Sequence, residues 1–142
     1  MSNKLEQVKT LLRGIRTDID GYKQLRILLE EQRLHMIRRS CAALLDVNAR
    51  INEHYLTLSH GTRVRRDILI ALGVTPDRAG MATVFGWLPA AQKNAAHEGW
   101  QELEAAAENG KTFNEKNGEL LTMQYEFVQA FLGTGPEFIY QP

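Results

Sequence analysis

Proline does not occur before position 76 in this 142-residue chain; its four prolines stand at 76, 89, 136 and 142. So long a stretch without the main helix breaker leaves room for long helices. Cysteine occurs once, at Cys41, which excludes an intrachain disulfide and a thiolate zinc site. A single thiol fits a reducing compartment, and its place on an apolar stripe marks it as a buried core residue rather than a nucleophile. Net charge is also missing: 17 basic and 17 acidic residues cancel, which removes the bulk attraction to nucleic acid or an anionic membrane. The basic clusters RGIR (13–16), IRR (37–39) and RVRR (63–66) are interspersed with Asp18, Asp20, Glu53 and Asp67 and read as solvated helix faces. No apolar run approaches the roughly 18 residues of a membrane span, and MSNKLEQVK carries no apolar signal core. The expectation is a cytoplasmic protein without stable membrane insertion.

Constellations that carry chemistry are missing as well. His35, His54, His60 and His97 form no H-x-x-x-H pair, and E-x-x-H does not occur. Glycine-rich phosphate loops and a G-x-S-x-G context are absent. Glu30–Glu31 and Asp18/Asp20 are acidic pairs, but residues one or two apart face different ways on a helix. These patterns give no catalytic residue, no metal site, no cofactor and no small-molecule substrate.

What is present is helical periodicity. Leu5, Val8, Leu12, Ile15, Ile19 and Tyr22 alternate steps of three and four, the rhythm of a coiled-coil seam. A second frame runs Ile37, Cys41, Leu44, Asn48, Ile51, Tyr55, Leu58. Their junction predicts a turn at 39–40 with Ser40 as N-cap; a break at 59–61 is the competing choice. Gly73 suits a helix end, and VTPDRAG offers Thr75 as cap with Pro76 in the first helical position. After Pro89 the last seam reads Ala96, Trp100, Leu103, Ala107, Gly110, Asn114, Asn117, Leu121, Gln124, Val128, Phe131. The spacing predicts helices over about 3–38, 41–72, 76–87 and 91–132. The fold expected is all-α: one domain over 1–132, an elongated antiparallel coiled-coil-like bundle of three long helices and one short one, followed by an extended tail, 133–142.

The stretch FNEKNGELL (113–121) departs from that apolar seam, because Asn114 and Asn117 occupy seam positions. If the last helix runs antiparallel to the second, both lie near the height of Asn48 and Asn52, and on the first helix of Gln32. The expectation is a polar layer of Gln32, Asn48, Asn52, Asn114 and Asn117 that fixes register at some cost in stability. Gly118 beside it leaves room for close approach by a neighbouring helix or a bound one.

LLRGI (11–15), LRILLEEQR (25–33), RRDILIALG (65–73) and FNEKNGELL followed by Gln124 resemble the FlgN family of flagellar export chaperones over nearly the whole chain. The resemblance implies a cytoplasmic, all-helical protein without catalysis. Such a protein binds the C-terminal helical ends of the hook–filament junction proteins FlgK and FlgL, keeps them soluble and unassembled, and delivers them to the export apparatus. It favours the turn at 39–40. The residues expected to hold substrate are Leu120, Leu121, Gln124, Phe127, Val128 and Phe131. In the tail, Tyr140 matches the family tyrosine implicated in docking to the export-gate protein FlhA, so Phe138, Ile139 and Tyr140 form a candidate docking segment. Gln141–Pro142 stand where family members carry a glycine motif. The competing reading is a structural coiled-coil subunit of a larger assembly with no chaperone role.

Overall fold

The computed structural model describes residues 2–132. Four helices form, α1 (Ser2–Arg38), α2 (Cys41–Ala71), α3 (Arg78–Gly86) and α4 (Ala90–Leu132), and the described residues include no strand. The tail 133–142 and the Phe131 side chain lie outside the described residues.

One hydrogen-bond motif closes both α1 and α2. At the end of α2 the Val74 N–H donates to the Leu69 carbonyl (3.1 Å) and the Gly73 N–H to that of Ile70 (3.0 Å). Gly73 takes the left-handed conformation this requires, with φ 80°. At the end of α1 the Ser40 N–H reaches His35 O (3.0 Å) and the Arg39 N–H reaches Met36 O (3.2 Å). Here the left-handed position, φ 55°, falls to Arg39, where a side chain costs about 1–2 kcal/mol that glycine would not.

The turn therefore sits at Arg39–Ser40, and α2 runs unbroken through 59–61. Ser40 holds the N-cap position of α2, but its side chain makes no capping hydrogen bond. Because the turn resets helical phase, Ile37 and Cys41 do not share a buried face. Contrary to expectation, Cys41 is exposed.

The third helix is capped by Asp77 rather than Thr75. The Asp77 carboxylate accepts from the Gly80 N–H (3.0 Å) and from the Thr75 hydroxyl (2.7 Å). Those donors, the hydroxyl foremost, hold the Asp77 carboxyl below its ordinary pKa. The carboxylate is the better acceptor for the first-turn N–H groups, so the helix starts two residues after Pro76.

Contacts fix the helix directions. Gln32 meets Asn48 near the turn and Asp18 meets Arg65 far from it, so α1 and α2 are antiparallel. Between α1 and α4 the hydrogen-bonded pairs stay 83 to 88 residues apart from Arg26–Asn109 to Met36–Gln124. The last helix thus runs parallel to α1 and antiparallel to α2. It packs closely on α1, as α2 does, while α2 and α4 stand further apart.

Two apolar clusters result. At the base, all four helices contribute: Val8, Leu11, Ile15 and Ile19 of α1, Leu69 of α2, Met81, Val84 and Phe85 of α3, Ala96 and Leu103 of α4. Toward the α1–α2 turn, the tip, the buried members are Leu25, Leu28 and Leu29 of α1 with Val47, Ile51 and Leu58 of α2. There α4 adds only the half-buried Phe113.

Candidate functional site

The seam of α4 changes character along its length. Ala96, Leu103, Gly110 and Asn117, seven residues apart, are all buried and face α1. The companion column loses its cover: Trp100 and Ala107 are half-buried, Asn114 and Leu121 exposed. Half the seam has lost its partner by the tip, because α2 stands away from α4.

Asn117 anchors what remains. It is 3% exposed; its amide donates to the Leu29 carbonyl (2.8 Å) and to Gln32 Oε1 (3.0 Å). Gln32 in turn donates to Asn48 Oδ1 at 2.8 Å. Asn117 Oδ1 accepts from Arg33 at 3.5 Å. Three amides from three helices thus form one chain of hydrogen bonds. Asn52 and Asn114 do not join it. Both are exposed, since Asn52 lies one residue past the buried Ile51 and Asn114 belongs to the uncovered column. Among the described residues no atom lies where a Cβ on Gly118 would meet it, so that glycine adjoins no neighbouring helix of the bundle.

About two turns further on, Gln124 donates to the Met36 carbonyl at 3.0 Å, a second bond to a carbonyl at the end of α1 that also accepts from the Arg39 N–H. It ties α4 to the hairpin rather than standing free. Because α1 ends two residues beyond Met36 while α4 continues to Leu132, the last turn and a half of α4 passes the hairpin, about 9 Å at 1.5 Å per residue. Between that projection and the turn lies an apolar groove of about 380 Å³ lined by Met36, Arg39, Cys41, Leu44, Leu121, Gln124, Tyr125 and Val128.

Three of the expected substrate-binding residues, Leu121, Gln124 and Val128, come together in this groove. Phe127 is exposed on the flank of α4, and Leu120 is half-buried outside the groove lining. Phe131, Phe138, Ile139 and Tyr140 fall outside the described side chains. Met36, Arg39, Leu44 and Tyr125 escape sequence reasoning because they come from different seams on three helices. Only the exposure of Tyr125 and of neighbouring Leu121 and Met123, after the amide layer, signals the site.

Charge is handled at the base. Asp18, which is buried, and Arg65, which is half-buried, form an ion pair at 2.7 Å, and Gly61 makes room for it, since a Cβ there would stand 2.5 Å from Asp18 Oδ1. Arg65 also lies 5.2 Å from the centroid of the Trp100 ring, whose buried indole N–H has no hydrogen-bond partner among the described residues. Among the described residues no group of histidine, cysteine and carboxylate side chains could hold a metal. No helix among them is long and apolar enough to cross a membrane.

Among the described residues, the last helix projects past the hairpin with an apolar face that no other helix covers. The model of the FlgN protein family matches residues 1–134. The chain belongs to the FlgN family. This is a family of flagellar export chaperones whose members bind flagellar hook-associated proteins, and the match takes in the groove and all four helices. No match was found among curated proteins or among solved structures.

Proposed function

We propose that this FlgN-family chaperone seats the C-terminal helical regions of FlgK and FlgL in the groove at the hairpin tip, keeps them soluble and unassembled in the cytoplasm, and delivers them to the export apparatus. The observation that carries the reading is the groove with its projecting α4, where Leu121, Tyr125 and Val128 face Met36 and Leu44. An amphipathic helix laid along such a groove buries one stripe of apolar side chains, spaced three and four apart. Bound, that stripe is withdrawn from the self-assembly it would otherwise drive. Delivery rests on the tail: Phe138, Ile139 and Tyr140 would dock to FlhA while the groove stays occupied.

Titration of the full chain with C-terminal segments of FlgK and FlgL tests the first part. Val128→Asp, which places a carboxylate in the apolar lining, weakens binding at least tenfold while circular dichroism keeps its helical signal. Unchanged affinity in a folded variant rejects the groove. For delivery, Tyr140→Ala loses FlhA binding and keeps junction-protein binding; retention of both rejects the docking role.

A further inference from the structure

Arg39 is the one non-glycine residue with positive φ among the described residues, and it holds the position that Gly73 fills in the same motif at the end of α2. A residue kept in an unfavourable conformation where glycine would serve suggests a use for its side chain. Arg39 is exposed and is the only charged residue among those lining the tip groove. No ion pair or hydrogen bond engages its guanidinium among the described residues; its backbone alone is used, the N–H by Met36 O at 3.2 Å and the carbonyl by Cys41 at 4.0 Å.

The nearby acids are spent elsewhere. Glu31 and Asp46 both bind Arg50, at 3.0 Å each. Glu119 and Glu126 are exposed and, at 3.6 residues per turn, fall on the side of α4 away from Gln124. Among the described residues the groove is therefore apolar but for one cation, Arg39, with no counter-charge in its lining.

Building on the groove reading above, we infer that Arg39 is a specificity-determining residue that pairs with a carboxylate on the docked helix. The occupant is an amphipathic segment of a hook-associated protein whose apolar stripe meets Leu44, Leu121 and Val128, with an Asp or Glu side chain or its own C-terminal carboxylate against Arg39. A guanidinium against a carboxylate at the edge of an apolar groove offers paired, charge-assisted hydrogen bonds. It discriminates against helices that are equally apolar but carry lysine or no charge there.

Titration of the full chain and of Arg39→Gly, Arg39→Lys and Arg39→Glu with FlgK and FlgL C-terminal segments, at low and high salt, tests this. Arg39→Gly melts about 2–5 °C higher, because the strain is gone. It nevertheless binds at least fivefold more weakly, with a shallower salt dependence. Arg39→Glu binds more weakly still, and Arg39→Lys retains most of the affinity. Amidated segments distinguish the sources: a loss on amidation assigns the terminal carboxylate, and no loss with sensitivity to Asp→Asn or Glu→Gln assigns a side chain.

If Val128→Asp abolishes binding while Arg39→Gly binds as the wild type does, the groove stands and the role of Arg39 is overturned. If Val128→Asp also binds as the wild type does, the groove reading itself falls and this inference with it. An Arg39 effect that vanishes on deleting residues 133–142 would hand the guanidinium to the chain's own tail. A dimer in sedimentation that Arg39→Glu dissolves would hand it to a second copy. Either result overturns the assignment.

Discussion

The base and the tip of the bundle are held together by different physics. At the base, side chains from four helices close over one another, with Phe85 and Val84 fully buried and the part-buried Asp18–Arg65 pair joining α1 to α2. At the tip, α1 and α2 build the apolar cluster; α4 adds the half-buried Phe113 to it and is tied to α1 by hydrogen bonds of Asn117 and Gln124. Hydrogen bonds contribute modest net stability, because water offers the same groups equivalent partners. Burial of apolar surface contributes more. The contrast makes the distal part of α4 the element that opens most readily, and it places that element beside the groove.

The largest expected effect lies at the base. Asp18→Ala leaves the Arg65 guanidinium, 16% exposed, without its carboxylate, and breaking such a pair from one side costs about 3–5 kcal/mol. Urea denaturation followed by circular dichroism measures it as one cooperative loss across all four helices. A change below about 1 kcal/mol would mean that water reaches Arg65 and the pair behaves as a surface bridge.

Next in size is Asn117→Ala, at the tip. Its amide serves both Leu29 and Gln32, so truncation costs about 1–3 kcal/mol. The loss stays local. Amide hydrogen exchange speeds up from Phe113 onward while the segment around Leu103 keeps its protection. Uniform acceleration along α4 would erase the proposed division. Asn117→Leu sharpens the test: it restores an apolar seam and holds stability near the wild-type value while loosening the register of α4 against α1.

Much of this contrast is legible in the amino-acid sequence. The helix segments, the stop at Gly73 and the amides at Gln32, Asn48 and Asn117 follow from spacing alone, since they depend on local backbone chemistry and on heights along antiparallel helices. What depends on rotation about a helix axis was not legible. Asn114 and Asn117 are both seam positions by count, yet one is exposed and the other buried, because α2 leaves α4 uncovered at that height. Cys41 follows the apolar rhythm of Leu44, but a left-handed residue two positions earlier resets which way the rhythm faces. Thr75 was the expected cap, but Asp77 takes the position, its carboxylate accepting from both the Gly80 N–H and the Thr75 hydroxyl. The groove needed the tertiary structure, because its walls come from separate seams.

The smallest effect tests whether base and tip are coupled. Tyr22 packs against both clusters. Burial pushes its hydroxyl above the ordinary tyrosine pKa of 10.0, the Asp18 carboxylate adds to the rise, and Arg65 opposes it. Burial raises Tyr55 as well, with Tyr22 adding. A raised folded pKa means that the folded chain holds the proton more tightly than the unfolded one. The contribution is therefore fully present below about pH 10 and is lost as pH climbs through the folded value. Thermal melts of the wild type should fall increasingly above pH 10, and Tyr22→Phe, which keeps the ring and removes the ionising group, should flatten part of that decline. Because Tyr22 touches both clusters, its ionisation should lower hydrogen-exchange protection at Leu28 and at Ile15 together. Loss confined to one of them would show that the two ends melt as independent units, and that α4 opens at the tip without any signal reaching the base.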